Sequence, residues 1–204
     1  MELESKTIII TGASSGIGAA AALLFAAKGA NVVLGARRSA QLEILVEKIN
    51  RGNGRAVFLA GDVKDEGYAD ALVKLATKEF GTLDCAFNNA GIVGSMQPIP
   101  DMSVGNWNDV VSVNLTAAFL AAKAQIPVMR RQGGGSIVFT SSFVGFSNGG
   151  MPGMGAYAAS KAGLIGLVQS LASDHAPEGI RVNALLPGGT ITPAGGEGNP
   201  DVME

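Results

Sequence analysis

Two residues in the stretch YAASK have the side-chain types and the spacing needed to move a proton. Tyr157 and Lys161 lie four residues apart at the start of an alanine-rich helical pattern, so they share one face of a helix. A phenol, with a reference pKa of about 10, is a poor acid or base near neutrality. A neighbouring ammonium favours the phenolate and lowers that pKa, so the pair is predicted to act in proton transfer.

A hydroxyl group is predicted to lie at the same site. Ser142 ends the strand-like run SIVFTS, which places it at the carboxyl edge of a sheet. Open α/β sheets bind their ligands at that edge. We therefore expect the Ser142 hydroxyl to hold a carbonyl or alcohol oxygen of the substrate.

The single histidine and the single cysteine argue against hydrolase chemistry, a disulfide framework and a cysteine metal site. His175 lies near the end of a helical pattern, where a solvated helix-end residue is expected, and without it no Ser-His-Asp set can be assembled. Cys85 lies in the apolar run LDCAF and is predicted to be a buried, inert thiol. A single cysteine forms neither a disulfide framework nor a metal-binding cysteine cluster.

The stretch TGASSGIG lies between an apolar run and a second alanine-rich helical pattern. Gly12, Gly16 and Gly18 would let phosphate oxygens approach main-chain N–H groups at a helix N-terminus. A Walker-type loop would end in Gly-Lys-Ser/Thr, whereas Ile17 and Gly18 follow Gly16, so ATP or GTP hydrolysis is disfavoured. Taken alone, the loop fits either a pyrophosphate cradle or a tight strand-to-helix turn.

The stretch GARR at the end of the second strand bears on the choice of nucleotide. Ala36 occupies the position where NAD-binding folds place an acidic residue, and Arg37 and Arg38 follow it. A guanidinium would bind a 2′-phosphate that a carboxylate would repel. NADP(H) is thus favoured and NAD(H) stays open, as does the alternative of two solvated arginines that open a helix.

Short β-branched runs alternate with long helical patterns along the whole chain. This alternation predicts an α/β fold with a Rossmann-like, doubly wound parallel sheet and helices on both faces, in a single domain over residues 1–204. The predicted strands are 7–10, 31–36, 55–60, 83–88, 136–141 and 180–186.

Composition narrows the classes of partner. The residues are 47% hydrophobic and 16% charged, with a formal net charge of −2, which gives no electrostatic reason to expect nucleic acid or an anionic membrane. No charged-then-apolar leader is apparent, and glycine or charge interrupts the apolar runs short of the ~20 residues of a membrane span. A cytoplasmic location is the default expectation.

These motifs occur together, in order, in one known family. TGASSGIG, NNAG at 88–91, Asn114 in VSVNL, Ser142, YAASK and RVNALLPGG resemble the short-chain dehydrogenase/reductase family from Thr7 to about Pro193. The resemblance implies an NADP(H)-dependent oxidoreductase that moves a hydride between nicotinamide and a carbonyl or secondary alcohol. The alternative is a cofactor-binding member of the fold with a regulatory role and no turnover.

The resemblance also implies a role for each matched residue. Tyr157 would be the acid–base, Lys161 would bind the nicotinamide ribose and lower the tyrosine pKa, and Ser142 would orient the substrate. Asn114 would hold a water in a proton relay behind Lys161, and Ser141 would be a structural neighbour of the catalytic serine. The implied cofactor contacts are Gly12, Ser14, Ser15, Gly16, Ile17, Gly18, Arg37, Arg38, Asp62, Val63, Asn89, Ala90, Gly91, Tyr157, Lys161, Pro187, Gly188, Thr190 and Thr192.

Simpler interpretations stay open for several of these residues. Asn88 and Asn89 fit turn formers, Asn114 fits a helix-kink residue bonded to nearby main chain, and Asp62 fits an Asx-turn. Met151 and Met154 fit either a substrate pocket or a loop without a role. The substrate is not identified by the sequence, because the loops near 93–102, near 143–156 and beyond 188 carry no charge pattern that indicates a particular ligand.

The chain departs from the family pattern in two places. Ser142 and Tyr157 are 15 residues apart, longer than usual, because of the stretch SNGGMPGMG. The chain ends at Glu204, where family members continue through a substrate lid, a further helix and a seventh strand. A homodimer or homotetramer is the implied assembly if that part of the family fold is present.

Overall fold

Six parallel strands form a single sheet in the computed structural model, which describes residues 2–147, 151–190 and 192. The sheet order is β3-β2-β1-β4-β5-β6, and Ile9 in β1 pairs with Val33 in β2 and Ala86 in β4. This confirms the predicted doubly wound α/β fold. The strands are β1 Thr7–Thr11, β2 Asn31–Ala36, β3 Arg55–Ala60, β4 Cys85–Asn88, β5 Gly135–Thr140 and β6 Ile180–Leu185.

Helices connect the strands and cover the sheet. The long helical stretch between β4 and β5 contains a π-helical turn at Ser112–Thr116, which separates α4 from α5. A short helix, α6, follows β5 directly. The helices are α1 Gly16–Ala27, α2 Ser39–Arg51, α3 Glu66–Phe80, α4 Val104–Val111, α5 Ala117–Gln132, α6 Phe143–Phe146 and α7 Gly155–His175.

The core has two parts, one on each face of the sheet. Ile9 lies with side chains from α3, α5 and α7, whereas its neighbours Ile8 and Ile10 lie with side chains from α1 and α2. Because alternate residues of a strand face opposite sides, an entirely apolar strand is stable only with both faces covered. The run TIII thus explains why helices flank both sides of the sheet.

Coverage of the two faces is unequal. A largely apolar groove of about 650 Å³ runs beside α1, lined by residues that include Ile17, Leu24, Phe87 and Val138. Cys85 lines this groove and is only partly buried, so the prediction of a fully buried thiol is wrong. Burial, followed by the nearby Asp84 carboxylate, raises the pKa of the Cys85 thiol, which disfavours the reactive thiolate.

One helical stretch among the described residues, Val104–Gln132, is long and apolar enough to cross a membrane by length and composition alone. Its length exceeds that of any predicted apolar run because α4, the π-helical turn and α5 join without a break. Half of its most apolar window is buried inside the protein, where Ala118, Ala122 and Ile126 pack in the core. We interpret it as a core helix.

Candidate active site

The glycine-rich loop joins β1 to α1 at the carboxyl edge of the sheet. Gly12 and Gly16 have positive φ angles of 67° and 55°, which side-chain-bearing residues rarely adopt. A Cβ atom on Gly12 would lie 2.9 Å from Ala90 Cα, and one on Gly18 would collide with the Gly12 carbonyl oxygen. Glycine is therefore required for the close packing of this loop against itself and against the end of β4.

The N-terminus of α1 fits the pyrophosphate of a dinucleotide. Ser15 is the N-cap residue, but its side chain makes no capping hydrogen bond to the first turn. The amides of that turn and the positive end of the helix dipole thus lack a side-chain cap, an arrangement that suits a phosphate group. The site lies between β1 and β4, where the strand order reverses and such folds bind nucleotides.

Arg38, at the N-cap position of α2, reaches across to this loop. Its Nη2 donates hydrogen bonds to Ser14 Oγ at 2.9 Å and to Ser15 Oγ at 2.7 Å, and its Nε donates to Ser14 Oγ at 3.2 Å. Arg37 is exposed to solvent. Of the two arginines, it is therefore Arg38 whose guanidinium lies against the glycine-rich loop.

Two threonines tie the ends of three strands together. Thr11 Oγ1, at the end of β1, accepts hydrogen bonds from the backbone N–H groups of Asn89 at 3.0 Å and Ala90 at 3.2 Å. Thr140 Oγ1, at the end of β5, donates to Asn89 Oδ1 at 3.1 Å. These bonds hold the NNAG segment in place, and neither threonine was predicted to do so from the sequence.

Lys161 lies beneath this edge, with only 3% of its surface exposed. Its Nζ donates a 2.6 Å hydrogen bond to the carbonyl oxygen of Thr140 and lies 5.7 Å from the ring centroid of Tyr157. Burial lowers the pKa of the Lys161 ammonium from 10.5 to about 8. A Cβ on Gly91 would lie 3.3 Å from Nζ, so glycine leaves the ammonium room.

Asn114 projects from the π-helical turn and joins two parts of the site. Its Nδ2 donates to the Ile92 carbonyl oxygen at 2.9 Å and to Ser160 Oγ at 3.0 Å, and its Oδ1 accepts from the Ile92 N–H at 2.9 Å. Ser160 Oγ in turn donates to the Tyr157 carbonyl oxygen at 2.8 Å. The side chain thus binds nearby main chain and links it to α7, whereas its role in a water relay stays a prediction.

A second asparagine makes the same kind of contact two helical turns earlier. Asn106 Oδ1 accepts from the Ser95 N–H at 2.9 Å, and its Nδ2 donates to the Ser95 carbonyl oxygen at 3.2 Å. Together, Asn106 and Asn114 hold the segment that leads away from β4 along the helix. Asn106 was not predicted from the sequence as part of the site.

The two serines after β5 have different hydrogen bonds. Ser141 Oγ donates to the Lys161 carbonyl oxygen at 2.9 Å, so its hydroxyl proton is used within the protein. Ser142 caps α6, where its Oγ accepts from the Val144 N–H at 3.3 Å. Because an accepting hydroxyl keeps its own proton, Ser142 is the serine that retains a donor for a ligand.

The side chains of Asp62 and Asn88 both make hydrogen bonds within the protein. Asp62 Oδ1 accepts from the Lys64 N–H at 3.0 Å, which is the Asx-turn geometry that the sequence left open. Val63 lines a small cavity of about 30 Å³ beneath the sheet edge. Asn88 forms a reciprocal buried amide pair with Gln125 on α5, at 2.9 and 3.0 Å, and the sequence gave no signal for Gln125.

The segment after β6 lies partly at the site and partly beside the apolar groove. The Pro187 carbonyl oxygen accepts from the Phe143 N–H at 3.2 Å, which attaches this segment to α6. Thr190 Oγ1 donates to the Gly188 carbonyl oxygen at 3.3 Å, and Thr190 and Thr192 line the groove next to α1. The predicted lid beyond Thr192 lies outside the described residues.

His175, at the end of α7, takes no part in the site. Its Nδ1 lies 2.9 Å from Glu178 Oε2, and its side chain is only 16% exposed. The expectation of a solvated residue is therefore wrong, because the ring packs in a partly buried pair. A hydrogen bond from Arg130, followed by that with His175, lowers the pKa of the Glu178 carboxyl.

The parallel sheet and the glycine-rich loop at the strand reversal are features of the dinucleotide-binding α/β folds. Comparison with known families agrees, because the sequence profile described as short chain dehydrogenase matches residues 6–202. The chain therefore belongs to the short-chain dehydrogenase/reductase family. Members use NAD(H) or NADP(H) and act on CH–OH or carbonyl groups.

Individual relatives support the assignment. An oxidoreductase of Thermotoga maritima, described only as uncharacterized, is 41% identical over 93% of this chain and 74% of its own length. A 3beta-hydroxysteroid dehydrogenase of Mediterraneibacter gnavus is 35% identical over 98% of this chain and 71% of its own. The crystal structure of levodione reductase superposes with a TM-score of 0.90 at 35% identity, covering 94% of this chain and 74% of that one.

Proposed function

We propose that the protein is an NADP(H)-dependent oxidoreductase that interconverts a carbonyl compound and a secondary alcohol, with Tyr157 as general acid and base. The observation that carries this proposal is the buried Lys161 ammonium, 5.7 Å from the centroid of the Tyr157 ring at the ligand-binding edge of the sheet. A cation at that distance stabilises the phenolate that remains after a proton is given away.

The cofactor would be held by residues along the carboxyl edge of the sheet. The first-turn amides of Gly16, Ile17 and Gly18 would bind the pyrophosphate, and Lys161 would donate to the nicotinamide ribose hydroxyls. When bound at these residues, a nicotinamide cofactor would supply the hydride for reduction or accept it for oxidation. The remaining proposed contacts are Gly12, Asp62, Val63, Asn89, Ala90, Gly91, Pro187, Gly188, Thr190 and Thr192.

The protein's own residues would carry the proton and orient the substrate. In reduction, Tyr157 donates its phenolic proton to the substrate oxygen as that oxygen gains negative charge, and in oxidation it takes the proton back. Ser142 donates a hydrogen bond to the same oxygen, using the proton that its contact with Val144 leaves available. Asn114 keeps the segment after β4 joined to α7, which fixes the position of Tyr157 relative to the loop.

Preference for NADP(H) rests on Arg38, Ser14 and Ser15. A guanidinium held between two hydroxyl groups forms a cationic, hydrogen-bonding surface suited to a phosphate monoester. Arg37, the neighbouring exposed cation, would add long-range attraction. Cells keep the NADPH pool reduced, so we propose carbonyl reduction as the working direction.

Assembly into a homodimer or homotetramer is part of the proposal. Val104 and Trp107 on α4 and Phe119 on α5 are large apolar side chains that lie exposed. Exposed apolar surface of this kind favours association between protein chains. Sedimentation of the protein across a concentration series would give the assembly state.

The function is tested by measuring carbonyl reduction with NADPH and NADH in parallel, using wild type, Arg38→Ala and the control Arg51→Ala, at an exposed arginine paired with Glu47 on α2. We expect turnover with NADPH, and a rise in the KM for NADPH of about tenfold or more in Arg38→Ala, because a charge-assisted hydrogen bond to phosphate is lost. The KM for NADH should not change in that variant. NADPH binding without turnover on any carbonyl would show a regulatory protein instead, and a preference for NADH would contradict the NADP(H) assignment.

A further inference from the structure

Exposed apolar side chains are concentrated around the proposed active site. Five of the exposed large hydrophobic residues in the described part of the chain fall in three segments that contact one another or α7 near Ser142 and Tyr157. Clustered apolar surface is typical of a ligand-binding groove. We call this set the substrate mouth: Met96, Ile99, Phe143, Phe146 and Leu186.

Direct contacts join the first of these segments to α7. The Gln97 N–H donates to the Gly153 carbonyl oxygen at 3.1 Å. A Cβ on Gly155 would lie 2.6 Å from Ile99 Cδ1, so the Ile99 side chain packs against the first residue of α7. That residue is two positions before Tyr157, so Ile99 lies beside the first turn of the helix that carries the proposed acid–base.

The other two segments are joined to each other and to α7. Backbone N–H groups of Ser141 and Phe143 donate to the carbonyl oxygens of Leu185 at 2.8 Å and Pro187 at 3.2 Å. A Cβ on Gly145 would lie 2.6 Å from the Lys161 carbonyl carbon, so α6 packs directly on the backbone of α7. The backbone at the end of β6, where Leu186 follows, therefore adjoins α6 and Ser142, whereas the Leu185 side chain lines the groove beside α1.

The sequence around the mouth carries no charge. Of the described residues, 85–100, 132–147, 151–160 and 182–190 contain no Asp, Glu, Lys, Arg or His, although 16% of the chain is charged. The cation beside these segments, Lys161, is buried and donates to Thr140 beneath the site. A substrate carboxylate or phosphate in this mouth would lose water without gaining a counter-charge from these segments, which is unfavourable.

We propose that the active site takes an uncharged, apolar ketone or secondary alcohol and discriminates against anionic substrates. This inference rests on the oxidoreductase function proposed above and adds the substrate class to it. The apolar mouth supplies binding energy through burial of hydrocarbon surface, while Ser142 and Tyr157 supply the polar contacts to the one reacting oxygen.

Two ketones with the same reacting group and different charge provide the test: ethyl acetoacetate, which is neutral, and acetoacetate, which is an anion. With NADPH, we expect kcat/KM for the ester to exceed that for the acid by about tenfold or more, because the carboxylate must be desolvated against apolar side chains. Equal values, or a preference for acetoacetate, would overturn the inference.

A matched pair of variants separates the mouth from the intrinsic reactivity of the two ketones. Ile99→Lys adds a cation at the mouth, and Ile44→Lys adds one on α2 at a residue of similar exposure, 68% against 60%. We expect Ile99→Lys to lower the ester-to-acid ratio several-fold, mainly through KM, and Ile44→Lys to leave it unchanged. A ratio that Ile99→Lys does not alter would overturn the role of the mouth.

Binding distinguishes failure of this inference from failure of the proposed function. The Tyr157→Phe protein, loaded with NADP⁺, would be titrated with each ketone by calorimetry. Tighter binding of ethyl acetoacetate supports the substrate class even if neither ketone is reduced, in which case only the proposed function fails. Equal or tighter binding of acetoacetate overturns the substrate class whatever the turnover.

Discussion

The floor of the site and the substrate mouth are built by opposite means. The floor, formed by Thr11, Asn114, Thr140 and Lys161, consists of buried polar side chains that hydrogen-bond to the protein. The mouth consists of exposed apolar side chains held by packing and by hydrogen bonds of the backbone beneath them. Buried polar groups are costly to leave unpaired, so they fix one geometry, whereas exposed apolar groups are replaceable at little cost to the fold.

This difference predicts that chemistry and substrate choice are separable. Changes in the floor should lower turnover for every substrate and alter the stability of the protein. Changes in the mouth should redistribute kcat/KM among substrates and leave the fold unaltered. The predictions below test the floor, and the Ile99→Lys and Ile44→Lys pair tests the mouth.

Removal of the buried charge should have the largest effect. In Lys161→Met, the phenolate of Tyr157 loses its cation, and we expect kcat for ketone reduction to fall by about 10³-fold, within the usual range for loss of acid–base assistance. Steady-state kinetics at saturating NADPH would measure this. Lys123→Met, at an exposed lysine paired with Glu66 on the surface, is the control and should match wild type. A fall of less than about tenfold in Lys161→Met would contradict the assignment.

The same lysine should make stability depend on pH. Burial lowers the pKa of Lys161 to about 8, whereas the unfolded value is 10.5, so between these values the unfolded chain binds more protons. The free energy of unfolding therefore rises with pH between about pH 8 and pH 10.5. Below pH 8, the buried charge of Lys161 lowers this free energy by roughly 3 kcal/mol.

Denaturant unfolding of wild type and Lys161→Met at pH 7 and pH 10 would reveal this dependence. The variant should gain most relative to wild type at pH 7, and the gain should shrink toward pH 10. The variant also loses the hydrogen bond to the Thr140 carbonyl oxygen, which changes its free energy of unfolding by the same amount at both pH values. A stability difference that is the same at both pH values would show that Lys161 is not desolvated.

The fold was largely predictable because β-branched, apolar strands that alternate with long helical patterns are compatible with few arrangements other than a doubly wound parallel sheet. The contacts of the floor were not. Thr11 and Thr140 act on Asn89 from strands far apart in the chain, and Gln125 pairs with Asn88 only because α5 packs over β4. Such roles depend on which elements become neighbours, and a single sequence does not contain that information.

The orientation of the two arginines and the assembly of the substrate mouth were also not predictable from the sequence. Whether Arg37 or Arg38 faces the glycine-rich loop depends on the backbone direction at the start of α2, which the dipeptide does not reveal. The mouth was recognised only as loops without a charge pattern. Its assembly depends on contacts such as Gln97 with Gly153, between segments with no pairing signal in the sequence.

The two asparagine contacts give a matched test of burial, with a smaller expected effect. Asn114→Ala should lower the free energy of unfolding by about 2 kcal/mol, because partly buried backbone groups of Ile92 and the buried Ser160 hydroxyl lose their partner. Asn106→Ala removes a similar pair of bonds to Ser95 at an exposed position, where water replaces them, and should cost less than about 1 kcal/mol. Equal losses in denaturant unfolding would contradict the distinction between buried floor and exposed surface.

The central claim is that Tyr157 transfers the proton at a nicotinamide-dependent site, and Tyr157→Phe tests it most directly. The measurement is kcat for ketone reduction by wild type and variant at saturating NADPH, together with the dissociation constant for NADPH. We predict a fall in kcat of about 10²- to 10⁴-fold with the dissociation constant unchanged, because only the phenolic hydroxyl group is removed. A variant that binds NADPH and reduces the ketone at the wild-type rate would contradict the account.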